Sequence, residues 1–345
     1  MEMAAGVIAS KARSMLGNQL QESDYIELSH KHNVAEICAY LKGSTSYADA
    51  LKDVRENHIH RGQLEDLLVK ESFRRLLKLF RYSESSQRAY FQLHMQKIEI
   101  ELLLSRIRVL ISQSFDSAIV ELPIFLKPYT SYDLTKLGSV SSYDDLLDVV
   151  EHLRYYEVLK PFHVKKGQES QIAYAQIETA LQKDFYAHGF EVIKHVLKGE
   201  NRKRCYALLA SQAELTNIEK IYRMKKYFNA RENEIEKVLI PIHYRISQKK
   251  MEELIASTTS QFIKLVAQSP YHLSIDDKED VNIEQEVSKY IYATAKKQVY
   301  FAQHAAIISS SYLVLMQQEL QNIVRIIEGV RYQVAPEQIE SMLIY

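Results

Sequence analysis

The chain has 345 residues with 9 Gly and 6 Pro, against average usages of roughly 7% and 5%. Turns and strands draw on both residues, so their scarcity predicts an all-α chain and excludes sandwiches, propellers and glycine-looped nucleotide folds. The 44 Lys and Arg balance 44 Asp and Glu, leaving no bulk field to draw the chain onto nucleic acid or anionic lipid.

From the N-terminus, the apolar stretch at residues 3–9 is short and runs into Lys11 and Arg13, unlike a secretory leader. Residues 34–47 (Val34-Ala-Glu-Ile37-Cys-Ala-Tyr40-Leu41-Lys-Gly-Ser-Thr-Ser-Tyr47) read as a short amphipathic helix, a turn, and Ser-Tyr opening another helix. Tyr143-Asp-Asp-Leu146-Leu147-Asp-Val-Val150 and Thr259-Ser-Gln-Phe262-Ile263-Lys-Leu265-Val266 have the same build. Between these markers the pattern predicts long helices over residues 89–112, 207–239 and 302–332. The second stops before Pro241, which cannot continue a helix cheaply. In the last, Leu320, Ile323, Ile327 and Val330 form one buried stripe. Breaks are expected at residues 122–128, 165–168 and 269–280. The most apolar C-terminal stretch, residues 305–316, contains three serines and falls short of the 18 or so residues a membrane span needs. Any membrane role is therefore expected to be peripheral.

The long helices carry a repeat. Glu214-Leu-Thr-Asn217-Ile218-Glu-Lys220-Ile221-Tyr-Arg-Met-Lys-Lys226-Tyr227 and Glu319-Leu-Gln-Asn322-Ile323-Val-Arg325-Ile326-Ile-Glu-Gly-Val-Arg331-Tyr332 are identical at six of 14 positions, at an offset of 105 residues. The short-helix markers recur about 110 and 116 residues apart. Three diverged helical units, 1–122, 123–241 and 242–345, account for these spacings. The first copy, Ile98-Glu-Ile-Glu101-Leu-Leu-Leu104, lacks the Asn. Asparagine is a mediocre helix former, so Asn217 and Asn322 beside Glu214 and Glu319 are expected to make interhelical hydrogen bonds.

Catalytic chemistry finds little footing. There is no GxxxxGK[ST] or GxGxxG phosphate loop and no HExxH. Cys38 and Cys205, far apart in the chain, read as reduced buried thiols. No catalytic residue, metal ligand or cofactor site is expected. Two charge runs stand out. Residues 194–204 hold five basic residues against one acid and end in Arg202-Lys203-Arg204; residues 276–286 hold six acids against one lysine, with Asp276, Asp277 and Asp280 among them. Each reads as a solvated loop or as a docking surface for an oppositely charged partner.

The Glu-Leu-x-Asn-Ile-x-Arg-Ile pattern ending at Arg325 and Ile326, the tripled helical units and the missing catalytic motif resemble the stalk-base subunit of V-type and A-type rotary ATPases, called C in archaeal and bacterial complexes and d in eukaryotic ones. Val7-Ile8-Ala9-Ser10-Lys11-Ala12-Arg13-Ser14-Met15-Leu16 is similar to that family's opening helix. The segment with Asp24-Tyr25, Leu28, Val34, Ile37, Leu41 and Ser46-Tyr47 is similar to the family's next stretch, and the ending from Asn322 to Tyr345 matches best. The resemblance implies a funnel of three pseudo-threefold-related units, one copy per complex and a monomer when isolated. The funnel would be a non-catalytic rotor part on the cytoplasmic face of the membrane, peripheral through the proteolipid ring and gripping central stalk subunits of the D and F type. Nucleic acid would not be a partner. The alternatives are an all-helical scaffold or adaptor of another complex, or an all-helical enzyme using the Asp276–Asp280 cluster as a metal motif. That cluster comes after Ser269-Pro270 in an expected loop.

Overall fold

The computed structural model describes residues 2–80, 88–113, 123–275 and 282–345. The described residues form an all-helical structure, 75% helix with no strand among them. The helices are α1 (Glu2–Leu16), α2 (Glu22–Ser29), α3 (Val34–Ser44), α4 (Ala48–Leu51), α5 (Arg61–Phe80), α6 (Arg88–Ser112), α7 (Leu134–Ser139), α8 (Tyr143–Val149), α9 (Arg154–Leu159), α10 (Tyr174–Val196), α11 (Gly199–Phe228), α12 (Glu232–Val238), α13 (Gln248–Ala256), α14 (Thr259–Ala267), α15 (Ile283–Phe301), α16 (Ala305–Arg331) and α17 (Pro336–Ser341).

Contacts divide the chain into two compact units, Met1–Ser85 with Leu273–Tyr345, and Ser86–His272. The first unit joins the two ends of the chain around α16, a 27-residue helix about 40 Å long. Its first half is apolar or small on nearly every side and is buried from Ala305 to Leu313; its second half presents Ile323, Ile326, Ile327 and Val330. Leu28, Ile37, Leu41, Tyr47, Leu51, Leu64 and Leu68 from α2–α5 pack on that second stripe. Each such side chain contributes about 1.5–3 kcal/mol of burial. Helix α17 lies close against α16 at Gly329, where a Cβ would sit 2.6 Å from Ile339; only glycine permits that approach.

In the second unit α10 packs against both α6 and α11. The reading of one helix over residues 207–239 is corrected here. Helix α11 begins earlier, at Gly199, and ends at Phe228, because Asn229 takes a left-handed conformation, φ +45°. The Ala230 N–H then donates to the Met224 carbonyl at 3.0 Å, a helix-stopping closure that Asn tolerates better than most residues. Five of the short helices start on side-chain caps: Asn33 on α3, Asp133 on α7, Ser142 on α8, Ser247 on α13 and Thr258 on α14 each accept from a backbone N–H of the first turn. Cys38 and Cys205 are buried and unbridged. Burial pushes the Cys205 thiol up to about 12, so it is a packing residue, not a nucleophile.

Candidate functional site

Three long helices each bury one glutamate near mid-length: Glu99 on α6, Glu214 on α11 and Glu319 on α16, at 2%, 0% and 2% exposure. An ionised carboxylate taken out of water costs several kcal/mol unless hydrogen bonds and counter-charge replace hydration. Each of the three is supplied by a backbone N–H and a tyrosine hydroxyl from two separate segments, and Glu319 by a guanidinium as well.

Glu319 accepts the Leu20 N–H on one oxygen (2.9 Å) and the Tyr47 hydroxyl (2.7 Å) and Arg75 Nη1 (3.1 Å) on the other. Burial pushes its carboxyl above the usual carboxylate range, and the Arg75 guanidinium pulls it back. Arg75 is itself buried. It donates Nε to Glu71 (3.1 Å) and Nη2 to the Ser46 hydroxyl (2.8 Å), and lies 4.4 Å over the Tyr47 ring. Glu214 gathers three consecutive backbone N–H groups, from Tyr244, Arg245 (2.9 Å) and Ile246 (3.1 Å), and the Tyr271 hydroxyl at 2.6 Å. Glu99 accepts the Ser131 N–H and the Tyr155 hydroxyl (2.6 Å), while Tyr132 donates to the Glu99 main-chain carbonyl (2.7 Å).

The pattern is the same each time. Backbone N–H groups come from the segment leading into a short helix (α2, α7 or α13), and a tyrosine hydroxyl comes from just beyond the helix after it (α3, α8 or α14). Burial first, and the adjacent glutamate second, raise the pKa of Tyr47, Tyr155 and Tyr271, so each phenol stays a donor. For α6 and α11 the clasped segments come after the helix in the chain. For α16 they lie at residues 20 and 47, so this clasp ties the C-terminal helix to the N-terminal segments.

One helical turn further on stand the asparagines. Asn217 donates to the Ile240 carbonyl (2.8 Å) and accepts the Ile240 N–H (2.8 Å); Asn322 does the same with Ile344, at 2.7 and 3.2 Å. The side-chain amide thus pairs with backbone as another peptide group would. The expectation of a helix-to-helix bond is corrected: the partner is non-helical chain, after α12 in one case and at the C-terminal tail in the other. Next along, Lys220 donates to the Val238 carbonyl (2.8 Å) and Arg325 to the Met342 carbonyl (3.1 Å), each two residues before the clasped isoleucine. Burial lowers the Lys220 pKa to about 8.

The structure therefore brings Glu214 and Asn217 together on one buried face, and Glu319 and Asn322, with Arg325 beside them, on another. Sequence reasoning passed over Glu99 because Leu102 occupies the Asn position. It also passed over Arg75, Tyr155 and Tyr271; the one available signal was a Tyr recurring after each short-helix marker. Arg202, Lys203 and Arg204 are exposed in the first turns of α11, not in a loop. Asp276, Asp277 and Asp280 lie outside the described residues.

These groups are saturated by static hydrogen bonds, and their chemistry is holding backbone. Among the described residues no group of three or more His, Cys, Asp or Glu could hold a metal ion, and no helix is long and apolar enough to cross a membrane. The fold and clasps define an all-helical protein whose buried polar residues lock its own loops onto long helices. A model of the ATP synthase (C/AC39) subunit matches residues 8–342, and the chain belongs to that family, the C/d subunits of V/A-type ATPases. It is similar to the C subunit of the A-type ATP synthase of Methanosarcina mazei, 21% identical over 262 residues that cover 76% of this chain and 69% of the relative.

Proposed function

We propose that this chain is a non-catalytic rotor subunit that couples the central stalk of a V/A-type ATPase to the proteolipid ring of its membrane domain. The observation that carries the reading is the family match over residues 8–342. The clasps support it physically. A torque coupler needs helices that do not slide against their loops, and charge-assisted hydrogen bonds to buried carboxylates hold loops more firmly than neutral ones do. The threefold recurrence of one clasp also supports three related helical units in a funnel as the working arrangement; each clasp joins a long helix of one of the expected units to short-helix segments of another. Units similar to one another can meet the repeated loops of a ring, and their differences can seat a single stalk of D- and F-type subunits. The protein then sits on the cytoplasmic face, peripheral to the membrane through the ring, with one copy per complex. The absence of a phosphate loop from the sequence supports a role without nucleotide chemistry.

The test is binding by the purified chain to detergent-solubilised proteolipid ring and to the stalk pair, separately and together. A ternary complex is expected. Binding to neither partner would overturn the reading.

A further inference from the structure

Helices α10 and α11 meet at a tight turn, with Gly199 at φ +56°, a conformation in which an L side chain is strained. Beside this turn lies a groove of about 450 Å³. Its wall is aromatic: the Phe190 and Tyr206 rings are 5.1 Å apart, and Tyr206 meets Tyr244 edge-on at 6.1 Å. Tyr206 and Tyr244 are nonetheless 39% and 40% exposed, so the rings pack on each other and still face solvent. The Tyr244 main chain is anchored, because its backbone N–H donates to Glu214. Lys194, Arg202 and Lys203 share the lining with Ile193 and Glu191, and Glu191 pairs with Lys194 at 3.6 Å, which leaves Arg202 and Lys203 as the groove's cations. Arg202 donates Nε to the Leu197 carbonyl at 2.7 Å. That bond fixes the guanidinium, and its two Nη groups have no partner among the described residues. Lys203 likewise makes no ion pair among them.

We propose that this groove docks an acidic segment of a partner subunit. An Asp or Glu carboxylate would lie on Arg202 and Lys203, with an apolar or aromatic side chain against Tyr206 and Tyr244. This inference rests on the reading of the chain as an ATPase subunit. Tyrosine and arginine around a small cavity are the composition of an interface hot spot. A polyanion fits less well: the chain is neutral overall, and Glu191 and Glu200 stand among the basic residues, paired to His195 (3.1 Å) and Arg204 (2.9 Å). A nucleic acid or an anionic lipid surface would meet those acids within its footprint, whereas a single carboxylate need not.

The experiment places a photoreactive benzoylphenylalanine at Tyr206 of the full chain in the assembled ATPase and maps the cross-link by mass spectrometry. The expected product joins Tyr206's position to an Asp- or Glu-bearing peptide of another subunit. R202E/K203E should remove that product and weaken retention of the chain at low ionic strength about tenfold. R202K/K203R should keep both. The altered side chains are exposed, so the Tm of the isolated R202E/K203E chain should match wild type. Cross-linking only to lipid or within the chain, or no product from a complex that retains the chain, would overturn the inference and leave the functional reading standing. So would undiminished retention of R202E/K203E. A wild-type chain that does not enter the complex would overturn both.

Discussion

At 2% exposure, the hydration lost by the Glu319 carboxyl is replaced by a backbone N–H, a phenol and a buried guanidinium that converge on it. Removing the carboxylate strands all three, and breaking a buried pair in this way costs about 3–5 kcal/mol. E319L should therefore lower the urea-unfolding midpoint severely. N322L leaves the Ile344 backbone groups unpaired, at about 1–3 kcal/mol, and should do so moderately. Unchanged midpoints in both would mean that these bonds do not form in solution. His94 on α6 supplies a pH dependence. Burial, with Lys97 adding to it, lowers its pKa to about 4, whereas an unfolded imidazole titrates near 6.5. The unfolded chain takes up the proton first, so the stability His94 contributes is complete above pH ~6.5 and is lost as pH falls toward ~4. The Tm difference between wild type and H94Q should shrink over that window; a difference independent of pH would contradict the assignment.

Element by element, the sequence was most legible where one property repeats along one stretch. A long helix over residues 302–332 is expected from the absence of Pro, a single Gly and a persistent apolar stripe, and one over 89–112 as its matching copy; the structure has α16 and α6 there. Where a single residue's backbone decides, legibility failed. Asn229 gives no Gly or Pro signal, yet its left-handed φ splits α11 from α12. N229G should be nearly neutral and N229A should cost about 1 kcal/mol, since alanine resists the left-handed region; equal thermal stability of the two variants would contradict the cap. The basic run was hidden for a different reason. Cations at a helix start oppose the helix dipole, so Arg202-Lys203-Arg204 reads as loop, although the helix is fixed by packing further along α11.

For the whole molecule, the clasp partners could not be read locally. Tyr47 and Glu319 are 272 residues apart, and nothing in either neighbourhood names the other. The repeat of Glu214-Leu-x-Asn217 in Glu319-Leu-x-Asn322 was visible because both halves of the signal sit on one helix; at Glu99, Leu102 erases half of it. The sequence also lacks any phosphate loop, so the isolated chain should show no ATP binding by calorimetry at micromolar concentrations, and a measurable heat of binding would contradict a purely coupling role. The most direct measurement of that role is ATP-driven ion uptake by proteoliposomes holding the ATPase assembled with and without this chain, alongside ATP hydrolysis. With the chain omitted, hydrolysis should continue while ion uptake falls to background, and adding the chain back should restore uptake. Undiminished ion uptake in its absence would contradict the account.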